Sequence, residues 1–177
     1  CLYGSGFLSY IEKCRHLRGM ATLLMDLLSA EEDMNYQMRF DIPLLTQRLL
    51  AATRWVKSQP NLQQLPIGYF GASTGAAAAL QAAAILDNQI SAVVSRGGRP
   101  DMAGIDYLDR VNAPTLLLIG GLDDTVIELN RDAYSHMHGI KHISIIPGAT
   151  HLFEEPGTLE TVASLASDWF KQYLSLN

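Results

Sequence analysis

Residues 66–85 read PIGYFGASTGAAAALQAAAI, and the order of residue types within that stretch decides the fold. Residues 66–70 have the length and apolar character of a short buried strand, while residues 76–85 are almost entirely strong helix formers. Between them stands Gly71-Ala72-Ser73-Thr74-Gly75, a G-x-S-x-G pattern in the strand-to-helix context where it denotes a nucleophile elbow. A serine on so tight a turn takes a strained backbone conformation that crowds the residues two before and two after it. Both of those are glycine, and Ala72 and Ala76 beside them are small. The turn pushes the Ser73 hydroxyl beyond the carboxyl end of the strand and aims the first N–H groups of the helix beside it, so the Thr74 N–H is a candidate oxyanion donor. The competing reading is a glycine-rich turn with Ser73 as an ordinary helix N-cap.

Working outward, the chain alternates between the two periods. Toward the N-terminus, residues 41–57 form an amphipathic helix capped by Asp41, with Pro43 tolerated in its first turn. Residues 29–40 are polar and read as a surface loop, residues 20–25 as a short apolar strand, and residues 8–17 as a helix closed by Arg18-Gly19. Toward the C-terminus, strands are expected at 90–95, 114–119 and 142–146, and helices at 126–138 and 158–174. The last of these carries Leu159, Val162, Leu165, Ala166, Trp169 and Tyr173 on one face. Alternating strands and helices imply right-handed βαβ units, a mostly parallel sheet, and a three-layer α/β/α sandwich in one domain spanning residues 1–177.

Composition excludes several classes of function. A net charge of −5 with no basic run argues against a nucleic-acid surface. No apolar stretch approaches the length that spans a bilayer, and no signal-peptide pattern opens the chain. Cys1 and Cys14 have neither metal-ligand spacing nor the numbers for a disulfide framework, so a reducing cytoplasm is expected and no cofactor is implied. His136, His138 and His142 superficially resemble a metal-ligand set, but residues two apart on a helix face different ways, and a solvated helix end is the expectation.

In an open parallel sheet, chemistry gathers outside the carboxyl ends of the strands. Three strand exits carry the groups that acyl transfer needs, in the order Ser73, Asp123, His151. A serine hydroxyl needs a base within hydrogen-bond reach, and His151 is the histidine whose loop placement suits that task. The imidazole in turn needs a carboxylate on its other nitrogen, for which Asp123 is the candidate, leaving Asp124 as the cap of the following helix. The alternatives are that Asp123 is a turn residue and His151 an ordinary loop histidine. Arg96 and Arg99 leave a strand on the same side and could bind a substrate carboxylate; the alternative is that they are solvated or that they pair with Asp101.

Three segments together resemble a known family. Gly71-Ala72-Ser73-Thr74-Gly75, Gly120-Gly121-Leu122-Asp123-Asp124-Thr125-Val126 and Pro147-Gly148-Ala149-Thr150-His151-Leu152-Phe153 are similar to the nucleophile, acid and histidine segments of dienelactone-hydrolase-like α/β-hydrolases. They are particularly similar to the group whose domain stands alone or is fused to a phosphoribosyltransferase domain. The likeness runs from about Tyr3 to the end of the chain. It implies a Ser-His-Asp triad of Ser73, His151 and Asp123, with a second oxyanion donor in the Ser5 N–H, where Tyr3-Gly4-Ser5-Gly6 stands in place of the family's His-Gly-Ser-Gly. Dienelactone hydrolase proper has a cysteine at the position of Ser73. The resemblance also implies strands before Tyr3, so the expectation is either an N-terminally truncated domain or a sheet that closes differently, with an exposed edge that favours association, and with weak activity because the Ser5 donor sits near a terminus.

Lid-bearing relatives insert a cap between the strands at 90–95 and 114–119. Only about twenty residues are available there, so no cap domain is expected and the substrate should be small and soluble. The expected activity is hydrolysis of a small carboxylic ester or lactone through an acyl-enzyme. The rival is a non-catalytic α/β-hydrolase-like binding or regulatory module. Expected partners are the small-molecule substrate and either a second copy of the chain or a fused or associated phosphoribosyltransferase, with neither nucleic acid nor membrane involved. A nucleotide-binding reading fails because Gly4-Ser5-Gly6 lacks the rest of a dinucleotide fingerprint and no P-loop lysine follows.

Overall fold

The computed structural model describes residues 20–174. The helix expected at 8–17, both cysteines and the loop that carries Ser5 lie outside the described residues.

Among the described residues four strands, β1 (Ile67–Ala72), β2 (Ile90–Arg96), β3 (Thr115–Gly120) and β4 (Lys141–Ile146), form one sheet in the order β1-β2-β3-β4. All neighbours run parallel, in registers such as Tyr69 with Val93, Val94 with Leu116 and Leu118 with Ser144. The helices of eight or more residues are α2 (Ile42–Ser58), α3 (Thr74–Leu86), α5 (Asp124–His136) and α6 (Thr158–Tyr173). Single turns α1 (Ala30–Asp33) and α4 (Ile105–Leu108) accompany them. Strands laid side by side in chain order with right-handed crossovers put every connection on one face, and α6, which follows β4, closes the other.

The period of two along β2 divides the core accordingly. Val93 points into a cluster with Tyr69, the alanines of α3, and Ile42 and Leu45 of α2. Ala92 and Val94 point into the opposite cluster with Leu116, Leu118, Val162, Ala166 and Phe170. Helix α3 lies between α2 and the sheet, and residues 76–84 are buried all round. A helix buried on every side is apolar on every side, and alanine lets backbones approach closely at little side-chain entropy cost. At the other end of the segment, Asp41 accepts a hydrogen bond from the Leu44 N–H at 3.0 Å and starts α2 as its N-cap.

Two regions differ from the sequence reading. Residues 20–25 form no strand, and Leu23, Leu24 and Met25 are 54%, 41% and 41% exposed. An extended apolar run becomes a strand only when a neighbour accepts its ladder of hydrogen bonds, and residues 20–25 belong to none of the ladders of the sheet. Residues 29–40 are not an irregular loop. Ser29 and Glu32 form a reciprocal capping box around α1, and Asn35 caps a 3₁₀ turn at Tyr36–Phe40. The S-x-x-E signature of that box was legible in the sequence.

Glu32 also clamps this segment to α2, meeting Arg48 with two hydrogen bonds of 2.6 Å while Arg48 reaches the Leu27 carbonyl at 2.7 Å. The Arg48 guanidinium, followed by the Ser29 backbone N–H, lowers the Glu32 pKa from 4.5 to about 2. A carboxyl that titrates lower in the folded than in the unfolded chain stabilises fully above its unfolded value and loses that contribution as pH falls through the folded one. The stability advantage of the wild type over Glu32→Gln should therefore be level above pH 4.5 and shrink as pH falls toward about 2. Urea unfolding at a series of pH values reads this directly, and an advantage undiminished at pH 2 would contradict it.

Candidate active site

Because all four strands are parallel, their exits share one edge of the sheet. At the exit of β1, Ser73 has φ 50° and ψ −126°, outside the ordinary regions for an L-residue. Its peptide groups are held on both sides. The Ser73 N–H donates to the Arg96 carbonyl at 3.4 Å, and the Ser73 carbonyl accepts from Ala76 and Arg99 N–H at 3.1 Å each. Although Ser73 occupies the N-cap position of α3, its side chain makes no capping bond, so the hydroxyl is not spent on starting the helix. Strain of this kind costs of order 1–3 kcal/mol and persists only where the surroundings impose it. Thr74 is the first residue of α3, where a backbone N–H has no partner within the helix.

The two glycines of the turn are not equivalent. A Cβ on Gly71 would stand 2.5 Å from the Gly75 carbonyl oxygen and 2.7 Å from the Ala76 backbone, whereas one on Gly75 would meet nothing within 4 Å. The expected crowding on both sides thus holds at Gly71 only, where a Cβ would press on the first turn of α3. Gly71→Ala should cost about 3 kcal/mol or more in denaturant unfolding, since the obstructing atoms are backbone and cannot rotate aside. Gly75→Ala should cost less than about 1 kcal/mol, and equal losses would refute the asymmetry.

The exits of β3 and β4 are interlocked. The Gly121 N–H donates to the Ile146 carbonyl at 2.8 Å and the Leu122 N–H to the Ala149 carbonyl at 2.9 Å. A Cβ on Gly120 would come within 2.6 Å of the Ala149 and Thr150 carbonyl oxygens. This contact brings Asp123 Oδ2 to 2.7 Å from His151 Nδ1, with the aspartate side chain 17% and the histidine 40% exposed. Asp123, not Asp124, occupies the N-cap position of α5, yet it makes no capping bond because its carboxylate is turned to the histidine. Asp124 is an exposed residue of the first helical turn, which corrects its expected role as the cap.

Sequence reasoning missed the strap that supports His151. The Thr150 N–H donates to Glu155 at 3.1 Å, and the Thr150 side chain, then its backbone, keeps the Glu155 carboxyl below the usual range. Phe153 is fully buried at φ 58°, with its carbonyl held by the Thr158 hydroxyl at 2.9 Å.

Arg96 and Arg99 do not form an open cationic patch. Arg99 Nε and Nη2 donate to both oxygens of Asp101 at 2.9 and 2.7 Å, which also raises the Arg99 pKa. Arg96 is 8% exposed, with its guanidinium 5.6 Å from the centre of the Phe153 ring. Short loop spacing made the Arg99–Asp101 pair available locally, and bidentate geometry favours it. Among the described residues no hydrogen bond joins Ser73 to His151, and no group of three or more acidic, histidine or cysteine side chains could hold a metal. His138 pairs instead with Asp109 at 2.8 Å, and His136 lies 3.9 Å from Asp132. No helix of the described residues is long and apolar enough to cross a membrane.

Comparison with known proteins agrees with this architecture. Residues 29–176 match the model of the Dienelactone hydrolase family. A crystal structure of dienelactone hydrolase from Anabaena variabilis is 50% identical with a TM-score of 0.92, over 97% of this chain and 81% of that one. The esterase domain of a Rhodothermus marinus protein, at 20% identity and a TM-score of 0.78 over 99% of this chain and 83% of that one, shares the fold. Two Mycobacterium tuberculosis proteins named "Putative phosphoribosyl transferase" are 58% identical over 156 residues, which is 88% of this chain and 35% of theirs. The chain thus spans about a third of the length of the curated relatives it matches.

Proposed function

The chain belongs to the dienelactone hydrolase family, and on that footing we propose that it is a serine hydrolase cleaving a small soluble carboxylic ester or lactone. The observation that carries this reading is the 2.7 Å bond between Asp123 and His151, at the same edge of the sheet as a strained serine whose hydroxyl caps nothing. In the proposed cycle, Ser73 Oγ attacks the acyl carbon while His151 Nε2 takes its proton. Asp123, bonded to Nδ1, holds the imidazole in the required tautomer and stabilises the imidazolium. The Thr74 N–H at the start of α3 receives the developing oxyanion, with the Ser5 N–H as the second donor. His151 then returns the proton to the leaving alkoxide, and water activated by the same imidazole releases the acid from the acyl-enzyme.

Between β2 and β3 stand only a 3₁₀ turn at Pro100–Ala103 and the single turn α4, which supports an uncapped site and a small substrate. Incubation with a fluorophosphonate, followed by peptide mapping, tests the reading. One adduct on Ser73 together with turnover of p-nitrophenyl acetate is expected, and neither adduct nor turnover would sink it. A second reading, a non-catalytic module associated with a phosphoribosyltransferase, draws support from the name of the relatives at 58% identity. That reading predicts no adduct.

A further inference from the structure

The loop that leaves β2 touches every member of the proposed triad or the element carrying it. Its first residue, Arg96, accepts the Ser73 N–H through its carbonyl, and its last, Arg99, donates its N–H to the Ser73 carbonyl. Between them Gly97, at φ 48°, donates to the Leu118 carbonyl at 2.7 Å and lies against the histidine. A Cβ there would be 3.1 Å from the His151 carbonyl oxygen and 3.7 Å from Cε1 of its ring. Gly98 has no room to shift sideways, since a Cβ on it would run into Ser95 Oγ and stand 2.6 Å from Ala76 Cβ.

The remaining tether comes from outside the triad. Asn130, fully buried on α5, uses Nδ2 to donate to the Gly98 carbonyl at 3.0 Å and to the Val126 carbonyl at 2.8 Å. The bond to Val126, one turn back, fixes the rotamer and aims the second N–H at the loop. Its Oδ1 is buried and has no hydrogen-bond partner among the described residues, which opposes folding. An apolar side chain of the same size would avoid that cost. What the position gains from an amide is therefore the donor that reaches Gly98.

We propose that Asn130 is a positioning residue of the hydrolase. It locks the loop at 96–99 to the helix that begins beside Asp123, and so sets Ser73 in register with the His151–Asp123 pair. The inference rests on the hydrolase reading above. Small displacements of a nucleophile from its base carry large penalties in rate, on the order of a hundredfold for 1 Å.

The test follows fluorophosphonate labelling and p-nitrophenyl acetate kinetics of the full chain in the wild type, Asn130→Ser and Thr46→Val. A serine can still bond the carbonyl one turn back but is too short to reach Gly98. Thr46→Val removes a buried 2.9 Å bond to Gln81 between α2 and α3 and serves as a control for destabilisation. Asn130→Ser should still end at one adduct per chain, with a labelling rate and kcat about 10- to 100-fold lower and KM within about twofold. Thr46→Val should keep the wild-type rate. A merely structural role for Asn130 lowers the adduct end point, which counts folded chains, and leaves the rate per labelled chain unchanged. A labelling rate for Asn130→Ser within twofold of wild type overturns the proposal. A second measurement is native-state hydrogen exchange: the Gly97 and Arg99 amides, bonded to the Leu118 and Ser73 carbonyls, should be as protected as those of β2 in the wild type and lose that protection in Asn130→Ser, and equal protection in both overturns the clamp. Should the wild type take no label on Ser73, the hydrolase reading falls, while the exchange result still decides whether Asn130 holds the loop.

Discussion

Ser73→Ala is expected to lower turnover of a p-nitrophenyl ester by about a millionfold and to abolish fluorophosphonate labelling, with the fold intact. The magnitude is that seen when a triad nucleophile is removed and only binding and the oxyanion donors remain. Stability should change by no more than about 0.5 kcal/mol, because the lost hydroxyl neither caps α3 nor takes part in any hydrogen bond among the described residues. Alanine bears the same backbone strain as serine at φ 50°, so the turn itself is not relieved. Measuring turnover and thermal midpoint on the same preparation separates the two effects. Retained turnover would move the nucleophile elsewhere; lost turnover with a collapsed midpoint would make Ser73 a structural residue.

The second large effect falls on two adjacent aspartates. Asp123→Asn should reduce kcat by about four orders of magnitude, since an amide in that place holds the wrong histidine tautomer. Asp124→Asn should leave kcat within about twofold and cost roughly 0.3–1 kcal/mol, the worth of a charge in the first turn of a helix. The contrast is sharp because the two side chains differ in what they touch: Asp123 bonds His151 at 2.7 Å, while Asp124 is exposed on α5. Kinetics on the two variants with one substrate decides the matter, and the reverse ranking would transfer the acid role to Asp124.

Much of this molecule is legible in its sequence. Each strand from β1 to β4 and each helix from α2 to α6, save the single turn α4, was expected within a few residues of where it stands. The signals were local: apolar runs of strand length, a helical face at 158–173, Asp41 ahead of Pro43, and glycines at the exits. The elbow was legible for the same reason, since a serine between small residues at a strand-to-helix junction is a property of ten consecutive residues.

By itself, then, the sequence determined the order of elements, the parallel sheet that this order entails, and the strand exits on which Ser73, Asp123 and His151 stand. Only the tertiary structure decided which groups meet. It paired Asp123 with a histidine 28 positions away, bound Arg99 to Asp101 where an open cation had been a candidate, and relieved Gly75 of the crowding that confines Gly71. It denied residues 20–25 a strand, and it brought the Asn130 amide to a loop 32 positions back in the chain. The physical reason is common to all of these. Periodicity and turn chemistry act within a few residues along the chain, whereas a ladder partner, a hydrogen-bond partner or a steric clash depends on atoms that only the packed sheet and helices bring together.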